Sequence, residues 1–368
     1  MTLTTRIAPG PAQTSLFTDE ETRPAGGLRI FPSTRYQGSK AKLVDWIWSA
    51  VADLEFDTVL DAFGGTGCVA YRMKCEGKET TYNDVLRWNE QCGLALIENS
   101  SVRLPEEQAA ALTRRHPGVA YPTFIADTFG DIYFLDEENV WLDTVVTNIR
   151  RLSDPYQRAL AFYALCQACI IKRPYNLFHR RNLYIRLAEV DRSFGNKTTW
   201  DTPFDEHFLR FVREANDAVF DNGKANRALC EDALELKGHW DLVYIDTPYI
   251  SGKGIGVDYR DFYHFLEGMT MYDRWPQELD RASKHHRLLR TPSPWSNPGT
   301  IYAAFRAIFD RFSDSIIVVS YRSDGIPSPE QLKALLAETK RHVTEAPRRE
   351  YQYALSTTNG HEMLLIGT

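Results

Sequence analysis

The sequence contains no run approaching the roughly 20 consecutive apolar residues that a bilayer-spanning helix needs. Its opening stretch, "MTLTTRIAPGPAQTSLFTDEETRPAGG", has no apolar block of the kind that directs secretion. The expectation is a soluble, cytoplasmic chain with no membrane contact. Cysteine is sparse: six residues (68, 75, 92, 166, 169 and 230) sit in apolar or mid-element stretches rather than framing short loops, which argues against a disulfide scaffold. Cys166 and Cys169 form one CxxC, but it falls in the helix-like "YALCQACIIKR" without a second pair to complete a zinc site. Two core residues one turn apart is the reading, and no metal is expected. Positive charge is not in excess either. With 43 Lys and Arg against 49 Asp and Glu the formal net charge is −6, so any nucleic-acid contact has to be local. No internal repeat is present.

What the chain does have is length. Its 368 residues, 43% of them hydrophobic, suffice for one large domain with an insertion or for two domains. Residues 1–28 are rich in Thr, Pro, Gly and acids and read as a flexible arm, with structure expected from near Leu28. In "AKLVDWIWSAVADL" the apolar residues Leu43, Trp46, Ile47, Ala50, Val51 and Leu54 keep the spacing of a one-faced helix that Ser39 could cap. "TVLDAFGGTG" then reads as strand and Gly-rich turn, "CVAYRMKCEG" as helix and "TTYNDV" as a second strand, which together make a βαβ unit. From 101 to 225 the texture is helical, with "DPYQRALAFYALCQACIIKR" entered at Pro155 and stopped by Pro174. Strand patterns return at 241–246, 315–323 and 361–368. The expected fold class is α/β, with a catalytic domain built from 29–100 and 226–368 and an inserted, mainly helical domain at 101–225.

The glycines of "DAFGGTG" let the backbone pass close to a ligand at the end of the first strand, and Asp84 ends the second strand 23 positions beyond Asp61. An acid there can accept bonds from two ribose hydroxyls. The spacing is not GxGxxG, and the turn carries no basic residue for a diphosphate, so a nucleoside without phosphates fits better than a dinucleotide. A purely structural turn is the alternative.

Four short stretches, in order, resemble the N6-adenine DNA methyltransferases of the alpha group, the DNA adenine methylase family. They are "YQGSK", "DAFGGTG", "TYND" and "DTPY", with "NRALCEDALEL" ahead of the last. The resemblance implies a Rossmann-like, S-adenosylmethionine-dependent methyltransferase sheet whose inserted segment is the target-recognition domain. It places Tyr36 and Lys40 at the cofactor's amino-acid end, Asp61 and the loop carrying Phe63, Gly65 and Gly67 beneath it, Asp84 on the ribose and Asp232 at the cofactor adenine. Taken out of that order, Lys40 would be a helix-start lysine and Asp84 a turn former.

The tetrapeptide Asp246, Thr247, Pro248 and Tyr249 carries the chemistry that the resemblance implies. An exocyclic adenine amine is a poor nucleophile because its lone pair is delocalised, and two acceptors on its N–H bonds can localise that pair for attack on the sulfonium methyl. Asp246 supplies one acceptor and the Thr247 carbonyl the other, Pro248 fixes φ, and Tyr249 offers a face to an extruded base. Thr247 departs from the family's usual second proline, a change that keeps the carbonyl and loses only rigidity. Two other readings stay open: a methyltransferase of RNA or of protein amides, and a DNA-binding relative that has lost catalysis. Whether a cognate restriction enzyme accompanies the chain also stays open.

For double-stranded DNA, the local case lies between 172 and 197. Seven basic residues (Lys172, Arg173, Arg180, Arg181, Arg186, Arg192, Lys197) stand there against Glu189 and Asp191, with Tyr175, Phe178, Tyr184 and Phe194 interleaved. Asn176, Asn182 and Asn196 are candidate base readers. A solvated face is the alternative. "KHHRLLR" (284–290) is a second basic cluster, either a clamp or an exposed helix end. In the arm, Gln13, Ser15, Leu16 and Phe17 of "QTSLF" resemble the peptide by which bacterial proteins dock on the replication sliding clamp, the alternative being an inert tail with two hydrophobics.

Overall fold

The computed structural model describes residues 29–188, 196–351 and 360–368. The candidate clamp peptide and Glu189, Asp191, Arg192 and Phe194 lie outside the described residues. Stretches rich in β-branched and apolar residues form β1 (Thr58–Asp61), β2 (Glu79–Asn83), β3 (Arg227–Leu229), β4 (Leu242–Ile245) and β5 (Ile316–Arg322), whose neighbours pair in parallel. The chain then adds β6 (Val343–Glu345), β7 (Arg349–Tyr351) and β8 (Gly360–Gly367); β8 runs antiparallel to β5, β6 and β7. The sheet order is β3-β2-β1-β4-β5-β8-β6, with β7 also on β8. The five strand patterns read from the sequence are all present. The three that were not anticipated, β3, β6 and β7, are only three residues long each and carry no readable period.

Order reverses at β1, which has β2 on one side and β4 on the other, and a doubly wound sheet opens its ligand crevice at the carboxyl ends of such a pair. Alternation assigns the two faces of this central part. Val59, Leu242, Tyr244, Val318 and Leu364 pack under α1 (Val44–Val51) and α2 (Cys68–Cys75). Leu60, Val243, Ile245, Ile317 and Leu365 pack against the helices Ile301–Arg311 and Pro329–Thr339. Ser39 does not cap α1, as the periodicity suggested; the helix starts at Val44 without a side-chain cap. The Ser39 hydroxyl instead accepts from the Ala41 N–H, in a turn that follows Gly38 at φ +83°. The turn draws Lys40 into the interior before the helix begins.

Among its described residues, the segment 101–225 is helical and has no strand. Asp154 caps the helix Pro155–Ile171 by accepting from the N–H groups of Tyr156 and Gln157, and Cys166 and Cys169 are fully buried in it. The segment does not keep a core to itself. One apolar cluster joins Phe162 and Leu165 of this helix to Tyr82 and Trp88 of the β2 region and to Phe265 and Trp275 beyond the tetrapeptide.

The basic run divides in two, and four of its expected DNA contacts are corrected. Arg173 is 1% exposed, and its guanidinium donates to the carbonyls of Tyr133, Leu177 and Arg180 and to the Asn182 side chain, which is itself buried. Lys172 and Arg186 close on Glu138 at 2.9 and 2.8 Å, also out of solvent. Burial alone would raise the Glu138 carboxyl; Arg186 and Lys172 outweigh it and hold the group below its ordinary value. Lys172, Arg173, Asn182 and Arg186 therefore build the insertion rather than face phosphates. Arg180, Arg181 and Lys197 stay exposed. Arg173→Ala is expected to cost roughly 3 kcal/mol of stability by leaving buried carbonyls unpaired, and Arg180→Ala less than about 0.5 kcal/mol. Denaturant titration checks both, and equal losses would contradict the division.

Candidate active site

The crevice holds a cavity of about 250 Å³ lined by the Gly-rich loop, Asp61, Asp84, Asp232, Asp246 and the segment 291–296. Its floor is set by one ring. Tyr82, fully buried on β2, shares its one hydroxyl proton between the carbonyl of Gly65 at 2.6 Å and that of Asn89 at 2.9 Å. A Cβ at Gly64 would stand 2.1 Å from this ring, so the loop touches it only because position 64 has no side chain. Gly65 (φ +54°) and Gly67 (φ +84°) complete the turn into α2.

Two acids flank the loop. Asp84 accepts from the N–H of Gly65 at 2.9 Å and of Leu86 at 2.8 Å, which fixes the carboxylate while a second lone pair on each oxygen stays available. Asp61 accepts from the Ala70 N–H through Oδ2, whereas its buried Oδ1 has no partner. Burial, and then the charge of Asp246, push Asp61 up to about 8. An orphaned acceptor on a destabilised carboxylate suits a cationic ammonium. Tyr36 lines the same cavity, stacked on Tyr263 at 4.9 Å and on Tyr259 at 5.4 Å. Phe63 meets Trp295 edge-on at 5.0 Å at another wall. Asp232 stands exposed at the rim and accepts from the Leu234 N–H. A donor set of this kind fits the nucleoside and amino-acid parts of S-adenosylmethionine.

Beyond β4 the tetrapeptide bends into a buried cluster. Lys40 Nζ lies 2.8 Å from both oxygens of Asp246 and 2.5 Å from the Tyr249 hydroxyl. The single proton of that hydroxyl is shared between Asp246 Oδ1 at 2.8 Å and Glu362 Oε1 at 2.6 Å. Lys40, expected at the cofactor's amino-acid end, thus reaches the tetrapeptide acid. Burial alone would depress the ammonium, but the Asp246 and Glu362 carboxylates more than offset this and hold it above the ordinary lysine value. Asp246 is raised, chiefly by burial and then by Glu362, against the opposing pull of Lys40 and Tyr249. Thr247 is buried, and Pro248 lines the cavity. Tyr249, expected to offer its ring to a base, is 6% exposed, with Lys40 4.9 Å from its ring centroid and Tyr321 edge-on at 5.1 Å.

Glu362, Tyr259, Tyr263 and Trp295 escaped the sequence reading. Glu362 had a signal, since an acid inside the apolar run "HEMLLIGT" has to be paired if the strand is central. Tyr259 and Tyr263 are four apart in "DYRDFYHF", one face of a helical turn.

Outside the crevice, the two basic clusters meet although about a hundred positions separate them. The Tyr133 hydroxyl lies between the carbonyls of Phe178 and His285 and shares its one proton between them, and burial followed by the Arg281 and Arg181 cations holds His286 below its usual value. Lys284 and Arg290 are exposed on this segment, which runs into the cavity wall at 291–296.

A reversed-order parallel sheet closed by an antiparallel last strand, with paired acids around a glycine loop, defines a Rossmann-like methyltransferase. More narrowly, residues 36–319 match the family model of the D12 class N6 adenine-specific DNA methyltransferases, and the chain belongs to that family. It is similar to the type II methyltransferase M2.HphI of Haemophilus parahaemolyticus, at 28% identity over 323 residues covering 85% of this chain and 90% of that protein. It also resembles the modification methylase StsI of Streptococcus sanguinis (26% identity over 86% of this chain) and the type II methyltransferase M.FokI of Planomicrobium okeanokoites (23% over 86%). The chain spans about half the length of these last two, 49% and 50%. Its activity is site-specific methylation of adenine in DNA, with S-adenosylmethionine as the general methyl donor of such enzymes. No helix among the described residues is long and apolar enough to cross a membrane. Gly64→Ala should weaken S-adenosylmethionine binding at least about tenfold by driving the loop off Tyr82. Isothermal titration checks this, and unchanged affinity would show that the loop yields.

Proposed function

We propose that the chain methylates the N6 amine of an adenine extruded from double-stranded DNA, with Asp246 as the acceptor that activates the amine. The observation that carries this reading is the place of Asp246. It follows β4, lines the same cavity as Asp61 and Asp84, and keeps only 15% of its side chain exposed. A base stacked inside a duplex cannot reach a carboxylate at that depth, so it has to swing out.

Asp84 would hold the ribose hydroxyls, Asp61 with Tyr36 the amino-acid end, the Phe63, Gly65 and Gly67 loop the underside, and Asp232 the adenine of S-adenosylmethionine. When bound, that group supplies an electrophilic methyl on a sulfonium. The protein's own part is then geometric and electrostatic. One N–H of the amine donates to Asp246 and the other to the Thr247 carbonyl, which localises the nitrogen lone pair. After transfer the nitrogen is cationic and must lose a proton, for which Asp246, raised by burial, is the adjacent base. Arg180 and Arg181, with Lys284 and Arg290 beside them, would follow the DNA backbone toward the cavity mouth.

Asp246→Ala is expected to reduce methyl transfer by at least about a hundredfold with cofactor affinity retained, whereas Asp84→Ala should lose cofactor affinity first. Radiolabel transfer to adenine-containing duplexes, paired with calorimetry, separates the two roles, and Asp246→Ala retaining wild-type turnover would sink the assignment. Arg180→Ala combined with Arg181→Ala should make the log–log salt dependence of DNA binding shallower by about 1 to 2, since each phosphate contact contributes about −0.9. An unchanged slope would mean that these arginines are only a solvated face.

A further inference from the structure

The acid of the tetrapeptide shares its lysine with a second carboxylate that no motif announces. Glu362 lies on β8, directly across from Arg322 of β5, and is fully buried. Its Oε1 accepts from the Tyr249 hydroxyl at 2.6 Å and from the Ser320 hydroxyl at 2.7 Å, and it stands 3.4 Å from Lys40 Nζ. Lys40 is therefore poised between two acids, with Asp246 the nearer at 2.8 Å.

This arrangement bears on how the amine can be accepted. In the structure both oxygens of Asp246 face Lys40, and Oδ1 shares the single Tyr249 hydroxyl proton with Glu362. Lys40 also lies over the ring of Tyr249. The carboxylate keeps a lone pair, but the ammonium that bridges its two oxygens and stands beside that ring competes with an incoming adenine for the approach to both. Withdrawing a buried ammonium with nowhere to go would leave it unpaired, which burial penalises heavily. A second carboxylate already within 3.4 Å removes that penalty.

We propose that Glu362 is a positioning residue for methyl transfer: it is the second seat of the Lys40 ammonium, which moves from Asp246 toward Glu362 as the target adenine enters. The inference rests on the reading of Asp246 given above. Across the step the cluster keeps one ammonium and two carboxylates. No bond is made or broken by Glu362 itself, and the net charge of −1 beside the transferring methyl is preserved. Ser320 and Tyr249 hold the Glu362 side chain ready for the ion.

Glu362→Gln tests this, because glutamine keeps the shape and an acceptor for Ser320 and Tyr249 but cannot receive the ammonium as a charge partner. The expected result is a fall in kcat of about tenfold or more with the affinity for S-adenosylmethionine unchanged. The acid limb of the kcat profile should also move. The titratable groups facing Asp246 are Lys40, Tyr249, Glu362, Asp61 and Tyr244. Glu362 is one that raises Asp246, so removing its charge lets Asp246 ionise at lower pH and shifts the limb in that direction. Side-chain packing alone would not produce that shift. A kcat within about twofold of wild type together with an unmoved limb overturns the proposal. Should Glu362→Gln fail to fold, Glu362→Asp serves: it keeps the charge but draws it back, so the limb should hold its place while kcat falls, and an unchanged kcat overturns the proposal. Wild-type enzyme is assayed alongside. If it does not methylate adenine in duplex DNA, the functional reading fails; if it does and the Glu362 variants match it, only the second seat fails.

Discussion

The contact on which the rest of the site depends is the ammonium of Lys40 between Asp246 and Glu362. Two carboxylates sharing one phenol in a buried pocket repel one another, a repulsion that is offset by a cation between them. Lys40 supplies it, and the sharing explains why a lysine 4% exposed is held above its ordinary value rather than below it. The three partners come from opposite ends of the chain: Lys40 ahead of α1, Asp246 after β4 and Glu362 on β8. The cluster can form only when the parallel half and the antiparallel end of the sheet have closed on one another. The site therefore depends on contacts that span nearly the whole chain.

The neighbouring half of the crevice depends on Tyr82 in a similar way. Its ring leaves no space for a Cβ at Gly64 or at Gly93, where one would come within 2.1 and 2.4 Å respectively. The glycine loop and α3 (Arg87–Gly93) are therefore pressed onto a single buried side chain, and its hydroxyl ties the carbonyls of Gly65 and Asn89 together. Asp84, fixed by the Gly65 and Leu86 N–H groups, inherits its position from that packing. A rigid support matters because carboxylates aimed in advance lose less freedom when any ligand is bound.

Much of this was legible in the sequence because it is local. The strand periods, the Gly-rich turn, the acid that ends β2 and the Pro-entered helix at Pro155 each depend on residues adjacent in the chain. Glu362 was not legible as a site residue because its role is created by β8 lying beside β5, where Arg322 and Glu362 face one another across 40 positions of chain, a pairing that no local pattern encodes. Charge counting failed for a related reason. Lys172, Arg173 and Arg186 look the same in sequence as Arg180 and Arg181, and only the fold reveals that Glu138 and a ring of carbonyls draw the first three inward.

The buried cations still bear on the exposed ones. Arg173 donates to the carbonyls of Leu177 and Arg180, on either side of the turn that leads to Arg181. Just before that turn Tyr175 and Asn176 sit at φ +63° and +59°, conformations that cost non-glycine residues energy and persist only where the surroundings over-determine them. The guanidinium brackets the segment that follows them. It satisfies the Leu177 and Arg180 carbonyls after the two strained residues, while Asn182, which it also holds, donates to the Pro174 carbonyl before them; Tyr175 is 59% exposed and the two arginines lie on the surface. Positive charge in this segment accordingly works at two depths, with one arginine inside fixing the backbone from which its neighbours project.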